Sequence, residues 1–178
     1  MVASYALFSR RGIRDVSVDE VISTSGVAKA TLYRHFSSKD DLVLAFLARR
    51  ERDWTYGLVA AGSLERSSDP VGRLLAIFDV FHDWFQRDDF EACSFVNVLL
   101  EMGPDHPVGR ACNGYLANVR ALVARFAAAA GLRDPEEFAH SWQLLMKGSI
   151  VQATAGDLLA ARRSQSIGRL LIAEYSPA

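Results

Sequence analysis

Cysteine is scarce: Cys93 and Cys112 are the only two in 178 residues, and neither has the spacing of a disulfide framework or a zinc site. They read as core thiols of a protein kept in a reducing compartment. Long apolar runs are also missing, since no stretch approaches the roughly eighteen residues that a membrane-spanning helix needs. The opening MVASYALFSRRG has neither the basic start nor the long apolar stretch of a signal peptide. A cytoplasmic protein without a membrane partner is therefore expected. Alternation of apolar and polar residues is weak throughout, which argues against strands. No nucleophile and base pair and no metal-ligand set stands out, so neither an enzyme nor a cofactor is expected. His82 lies near Asp79 and Asp83, but adjacent turns of a polar helix face account for that grouping without a metal.

What remains is ample material for a helical core. Half of the residues are hydrophobic and 23% are charged, the balance of a folded globular chain. The net charge of −1 hides an uneven division. Residues 1–52 hold nine Lys/Arg against six Asp/Glu, whereas residues 53–178 hold eleven against fifteen. The first part is suited to meet an anion and the second is not.

Apolar residues recur at three- and four-residue steps, so the chain reads as all-α with about nine helices. The first, Met1 to Arg11, is closed by Gly12 and is short, as it would be if residues preceded Met1. Ser17-Val-Asp-Glu20 fits a capping box, with the serine accepting from a free N–H and the glutamate reaching back to the serine's own N–H. Thr24-Ser25-Gly26 then stops that helix, and VAKATLYRHF (27–36) forms another. Ser38-Lys-Asp-Asp41 starts a longer helix, Lys39 to about Trp54. Ala61 to Asp69 is polar and nonperiodic, and reads as a loop. Pro70 opens a strongly apolar helix; others span Phe90 to Met102 and Pro107 to the stop at Gly131. Asp134-Pro-Glu-Glu137 begins the next, to about Ala155, and Asp157 caps the last, which reaches Tyr175. Arg10, Arg11, Arg49 and Arg50 read as solvated charges.

Placed on a helix, VAKATLYRHF separates into two faces. Ala28 and Leu32 point inward with Phe36 nearby; Lys29, Ala30, Tyr33 and Arg34 point outward, flanked by Thr31 and His35. An outward face that is compact, basic and small at its centre suits entry into a DNA major groove. With a capped helix before it and a glycine turn between, the pair reads as a helix-turn-helix.

The run SVDEVISTSGVAKATLYRHFSSKDDL resembles the DNA-binding signature of the TetR/AcrR family of bacterial transcriptional regulators. The likeness covers roughly the first fifty residues and includes the Gly-Val of the turn, Thr-Leu-Tyr, His-Phe and the following Ser-Lys. It implies that Lys29, Ala30 and Thr31 approach base edges or the adjacent backbone, and that Tyr33 and His35 contact phosphates. Lys39 would hold the DNA backbone, and Ser17, as cap of the preceding helix, would present its N-terminal N–H groups to a phosphate. Asp19 departs from the pattern, because members often carry a basic or neutral residue there; it either points away from DNA or accepts from a cytosine amino group.

The expected organisation is a helix-turn-helix domain over 1–46 and a helical regulatory domain over 47–178. A single recognition helix makes few contacts, so a homodimer on a palindromic operator of double-stranded DNA is expected. Its interface would use the last two helices through Leu144, Val151, Leu158, Ile167, Leu170 and Leu171, with Gly148 and Ser149 permitting close approach. The resemblance also implies a cavity for a small-molecule effector. Candidate lining residues are Phe78, Phe81, Phe85, Trp142 and Met146, joined by Phe95, Asn97, Glu101 and Tyr115; a packed aromatic core explains many of them equally well. The expected function is a ligand-responsive transcriptional repressor released from its operator by an apolar or amphipathic molecule. The alternative is a helix-turn-helix regulator without an effector, whose second domain serves dimerisation or protein binding.

Overall fold

The computed structural model describes residues 2–177. Among them there is no strand. The helices are α1 (Val2–Arg11), α2 (Val18–Ser25), α3 (Lys29–His35), α4 (Lys39–Arg50), α5 (Ala61–Arg66), α6 (Pro70–Phe85), α7 (Ser94–Met102), α8 (Pro107–Ala129), α9 (Pro135–Thr154) and α10 (Ala160–Tyr175). A π-helical segment, Glu51–Ala60, joins α4 to α5 without a break. Counting that composite as one rod, the described residues form nine helical rods, as the apolar periodicity predicts.

Packing divides the chain into two compact units, Met1–Arg52 with Cys93–Tyr115, and Asp53–Ala92 with Leu116–Ala178. The core of the first is built on α4, where Leu42, Val43, Phe46 and Leu47 are buried with Phe8 and Val21. The rings of Tyr5 and Phe8 lie 5.3 and 5.7 Å from that of Phe46. Arg50 is not a solvated charge: it is buried, and its guanidinium donates to the Tyr5 hydroxyl at 2.7 Å. Arg49 sits over the Tyr5 ring at 4.9 Å, so both arginines anchor α1 through cation–π and hydrogen-bond contacts. Arg11 is also engaged, by the Glu20 carboxylate and the Asp15 carbonyl.

Cys93 and Cys112 are buried in this unit, and neither is in a disulfide. Burial pushes the Cys112 thiol up to about 12, because a thiolate loses its hydration there. Both should resist alkylation by a thiol reagent at pH 8 and react on unfolding; rapid labelling of the native protein would contradict this. The sign also fixes a linkage: the buried neutral thiol supports folding below the ordinary thiol pKa, and that support is lost as pH rises from about 9 toward 12.

In the second unit α6, α9 and α10 pack on one another. Leu74, Ile77, Phe78, Phe81, Trp84 and Phe85 of α6 are all buried, as an apolar run around most of a helix requires. Trp142 lies at the centre, its ring 5.1 Å from both Phe78 and Phe138. Gly168 of α10 permits this approach, since a Cβ there would lie 2.8 Å from the Trp142 ring. Gln165 donates to the Leu75 carbonyl at 3.0 Å and to Asp79 at 2.9 Å, tying α10 to α6.

Several local expectations are corrected. Residues 61–66 are helical instead of looped, because Gly62 and Ser63 are buried and a Cβ on Gly62 would stand 3.0 Å from Val80; close packing there outweighs poor propensity. Helix α7 starts at Ser94, not Phe90, whose ring instead covers Trp84 and Phe85 at 4.9 and 5.1 Å. Asp134 does precede α9, but with φ 44° and no side-chain cap bond. Asp157 accepts from the Leu159 N–H at 3.0 Å in a turn that precedes α10.

Candidate nucleic-acid interface

Two short helices, α2 and α3, and the head of α4, all in the first unit, form the candidate site. Ser17 caps α2 by accepting from the Glu20 N–H at 3.1 Å. The reciprocal half of the capping box is absent from its expected place, because the Glu20 carboxylate takes Arg11 instead. Helix α2 ends at Gly26, whose φ of 66° lies in the left-handed region, where glycine pays no Cβ penalty. Helix α3 follows after two residues, and Ser38 caps α4 by accepting from the Asp41 N–H at 3.1 Å. The Ser37 and Ser38 hydroxyls hold the Asp41 carboxyl below its usual range.

The faces of α3 differ in one respect from the helical-wheel reading. Leu32 is buried and Phe36 half-buried, but Ala28 is exposed at the N-cap position: the helix starts one residue later, and Ala28 is extended. Lys29, Ala30, Tyr33, Arg34 and His35 are exposed, with Tyr33 at 43%; Thr31 is half-buried. Ser17 is exposed and Lys39 half-buried at the start of α4. The sequence-derived DNA set is thus gathered on α2, α3 and the head of α4. Behind it Val21, Val27, Leu32, Phe36 and Leu42 border an open, mostly apolar hollow of about 440 Å³.

Two features were not visible in the sequence. Asp19 accepts from Lys29 Nζ at 3.1 Å, and this contact holds the Lys29 ammonium above its ordinary pKa. Glu101, expected beside a ligand, instead accepts from the Ile13 N–H at 2.9 Å and from the Arg14 N–H. It therefore pins the α1–α2 loop. Its neighbour in the expected ligand set, Asn97, is exposed. Below them His106 Nδ1 accepts from the Val108 N–H at 3.3 Å, which leaves Nε2 to carry the ring proton, 3.6 Å from Asp40 of α4.

The aromatic candidates separate between the units. Phe95 and Tyr115 stack at 5.2 Å in the first. Phe78, Phe81, Phe85, Trp142 and Met146 are buried in the second, where the Thr55 and Ser63 hydroxyls, His82 Nδ1 and Trp142 Nε1 are buried without a hydrogen-bond partner. Thr55 and Ser63 could have been singled out only by knowing that their positions face the core. Asp79 and Asp83, the acids near His82, are engaged by Arg162 and Arg66 respectively.

A capped helix, a left-handed glycine turn and a second helix that offers lysine, tyrosine and histidine on its open face make a helix-turn-helix, the motif with which DNA-binding proteins enter a major groove. Residues 1–46 match the family model described as bacterial regulatory proteins, tetR family. The chain is 35% identical over 88 residues to the HTH-type transcriptional activator FasR of Mycolicibacterium smegmatis, covering 49% of this chain and 39% of that protein. It is 30% identical over 73 residues to the HTH-type transcriptional repressor KstR2 of Mycobacterium tuberculosis, 41% of this chain and 36% of that one. The matched regions thus span well under half the length of either relative. A TetR-family transcriptional regulator from Streptomyces coelicolor superposes with a TM-score of 0.89 at 27% identity, over 99% of this chain and 93% of that one. Residues 1–46 thus match the DNA-binding region of TetR-family regulators, and the fold over nearly the whole chain is that of the Streptomyces coelicolor member of that family.

Proposed function

We propose that this regulator is a homodimeric repressor that binds a palindromic operator through α2, α3 and Lys39, and that a small apolar or amphipathic molecule releases it. The carrying observation is the exposed face of α3, where Lys29, Tyr33 and His35 stand clear of the core around Ala30. Lys29 and Thr31 would meet base edges or the adjacent backbone. Tyr33, His35, Lys39 and the N–H groups capped by Ser17 would position the phosphates. Twofold pairing is supported by Leu144, Val151, Ile167 and Leu170 of α9 and α10, which are 51% to 75% exposed. Apolar surface of that extent on two adjacent helices favours burial against a second copy.

The effector reading rests on the second unit. Its aromatic interior holds unpartnered polar atoms of Thr55, Ser63, His82 and Trp142, and buried polar groups ordinarily find a partner. A ligand with an apolar body and a few hydrogen-bonding groups would satisfy them. The rod formed by α4, the π-helical segment and α5 runs by chain from the DNA-binding unit into this one, with Trp54 packed on Phe81 and Trp84 at 5.8 and 5.7 Å. Opposed preferences of ligand and DNA for two settings of that rod give release. A cytoplasmic location accords with this role; among the described residues no helix is long and apolar enough to cross a membrane.

Fluorescence anisotropy with selected duplex DNA tests the DNA reading. The double variant Lys29→Ala/Tyr33→Ala is expected to lose about a hundredfold or more of operator affinity, from two contacts of about 1–3 kcal/mol each, while keeping its sedimentation behaviour. Unchanged affinity would overturn the assignment. A thermal-shift panel of amphipathic compounds tests the effector: stabilisation with loss of DNA binding supports it, and no response across the panel favours a regulator without one.

A further inference from the structure

Helix α3 begins on a lysine, the wrong charge for a helix N-terminus, and Ala28 before it supplies no side-chain cap. Asp19 of α2 compensates at 3.1 Å. The two side chains are nonetheless 64% and 77% exposed, and ion pairs that open to water contribute little to folding. Their effect is felt at the surface they occupy, which is the face proposed above to enter the major groove. There the pair sets a donor and an acceptor side by side. The ammonium has three N–H donors, of which Asp19 engages one, and the carboxylate keeps a second oxygen free to accept.

A G·C base pair offers the complement: guanine N7 and O6 accept, and the cytosine amino group donates. We propose that Asp19 and Lys29 together read one G·C base pair in each half-site, Lys29 donating to guanine and Asp19 accepting from the cytosine amino group. Asp19 also acts by exclusion. Facing thymine O4 or guanine O6 it meets an acceptor, and two acceptors without a proton between them repel. A carboxylate placed near phosphates weakens binding to every sequence, and regains the loss only where an amino group meets it. The inference rests on the proposed docking of α3.

Binding-site selection from a randomised duplex library, with the full chain, tests it. The unaltered protein should enrich an inverted repeat with a fixed G·C pair in each half. Asp19→Asn should keep the rest of the motif but lose about tenfold or more of the preference at that one pair, and Lys29→Ala should relax the same position. If Asp19→Asn changes no position, or a position other than the one Lys29→Ala relaxes, the inference fails while the DNA-binding reading stands. If the unaltered protein enriches no motif, both fall. A check independent of variant folding uses the unaltered protein with N4-methylcytosine at that pair, which replaces the groove-facing amino hydrogen by a methyl group. Affinity should fall about tenfold there and nowhere else in the half-site; unchanged affinity overturns the proposal.

Discussion

Trp142→Ala is expected to destabilise the protein by about 3–5 kcal/mol, enough to consume much of the stability of a domain this size. The indole is fully buried, stacked on Phe138 and tilted against Phe78, each at 5.1 Å. Its ring also occupies the space left by the missing side chain of Gly168. Removing it opens a cavity bordered by α6, α9 and α10, three helices already held together by Gln165 and by the Phe138–Tyr175 contact at 5.5 Å. Walls fixed in this way relax little, so most of the lost contact energy is not recovered. Chemical denaturation of both proteins measures the difference; a loss under about 1 kcal/mol would contradict the packing described. Trp142→Phe separates the ring from its N–H. The indole N–H has no partner, so phenylalanine keeps much of the packing and removes an unmade hydrogen bond. Its cost in ligand-free protein is expected to stay under about 1.5 kcal/mol. An effector that uses the N–H should bind this variant more weakly.

The second large effect is expected at Glu101. Its carboxylate accepts from two successive backbone N–H groups, of Ile13 and Arg14, and bonds to a charged acceptor contribute about 1.5–3 kcal/mol where water is excluded. The Ile13 side chain is buried, whereas Arg14 is exposed, so the two bonds are unequal. Glu101→Ala should lower stability by about 2–3 kcal/mol. Operator affinity should fall as well, since the freed loop leads directly into Ser17 and the start of α2. Glu101→Gln, which retains a carbonyl acceptor, should recover part of both. A Glu101→Ala protein with unaltered melting and DNA binding would show that the loop holds its own shape.

The DNA-binding unit was legible because its signals are local. Ser17, Gly26 and Ser38 act within three or four residues of themselves, and a cap or a left-handed turn can be read from so short a span. The outward face of α3 followed from spacing alone, apart from Ala28, whose exposure depends on where the first helical turn closes. Residues acting over long separations were not legible. Glu101 and Ile13 lie 88 positions apart, and a lone acid on an apolar helix gives no sign whether it awaits a ligand or a distant backbone. Helix α5 was missed for a related reason: Gly62 and Ser63 oppose helix formation by propensity, and only the proximity of Val80 reveals that a small residue is required. Arg50 looked like one more surface cation until Tyr5 was seen to receive it.

The π-helical segment Glu51–Ala60 bears on how such a chain can vary. In an α-helix one inserted or deleted residue turns everything beyond it by about 100° and moves its apolar stripe off the core. A stretch already bonded in wider rings can absorb that change by converting one turn to α geometry or adding another wide one, so Leu47 on one side and Ser63 on the other keep their buried positions. The ten residues between α4 and α5 are therefore where related chains should differ in length by one residue while the phase of both flanking helices is preserved.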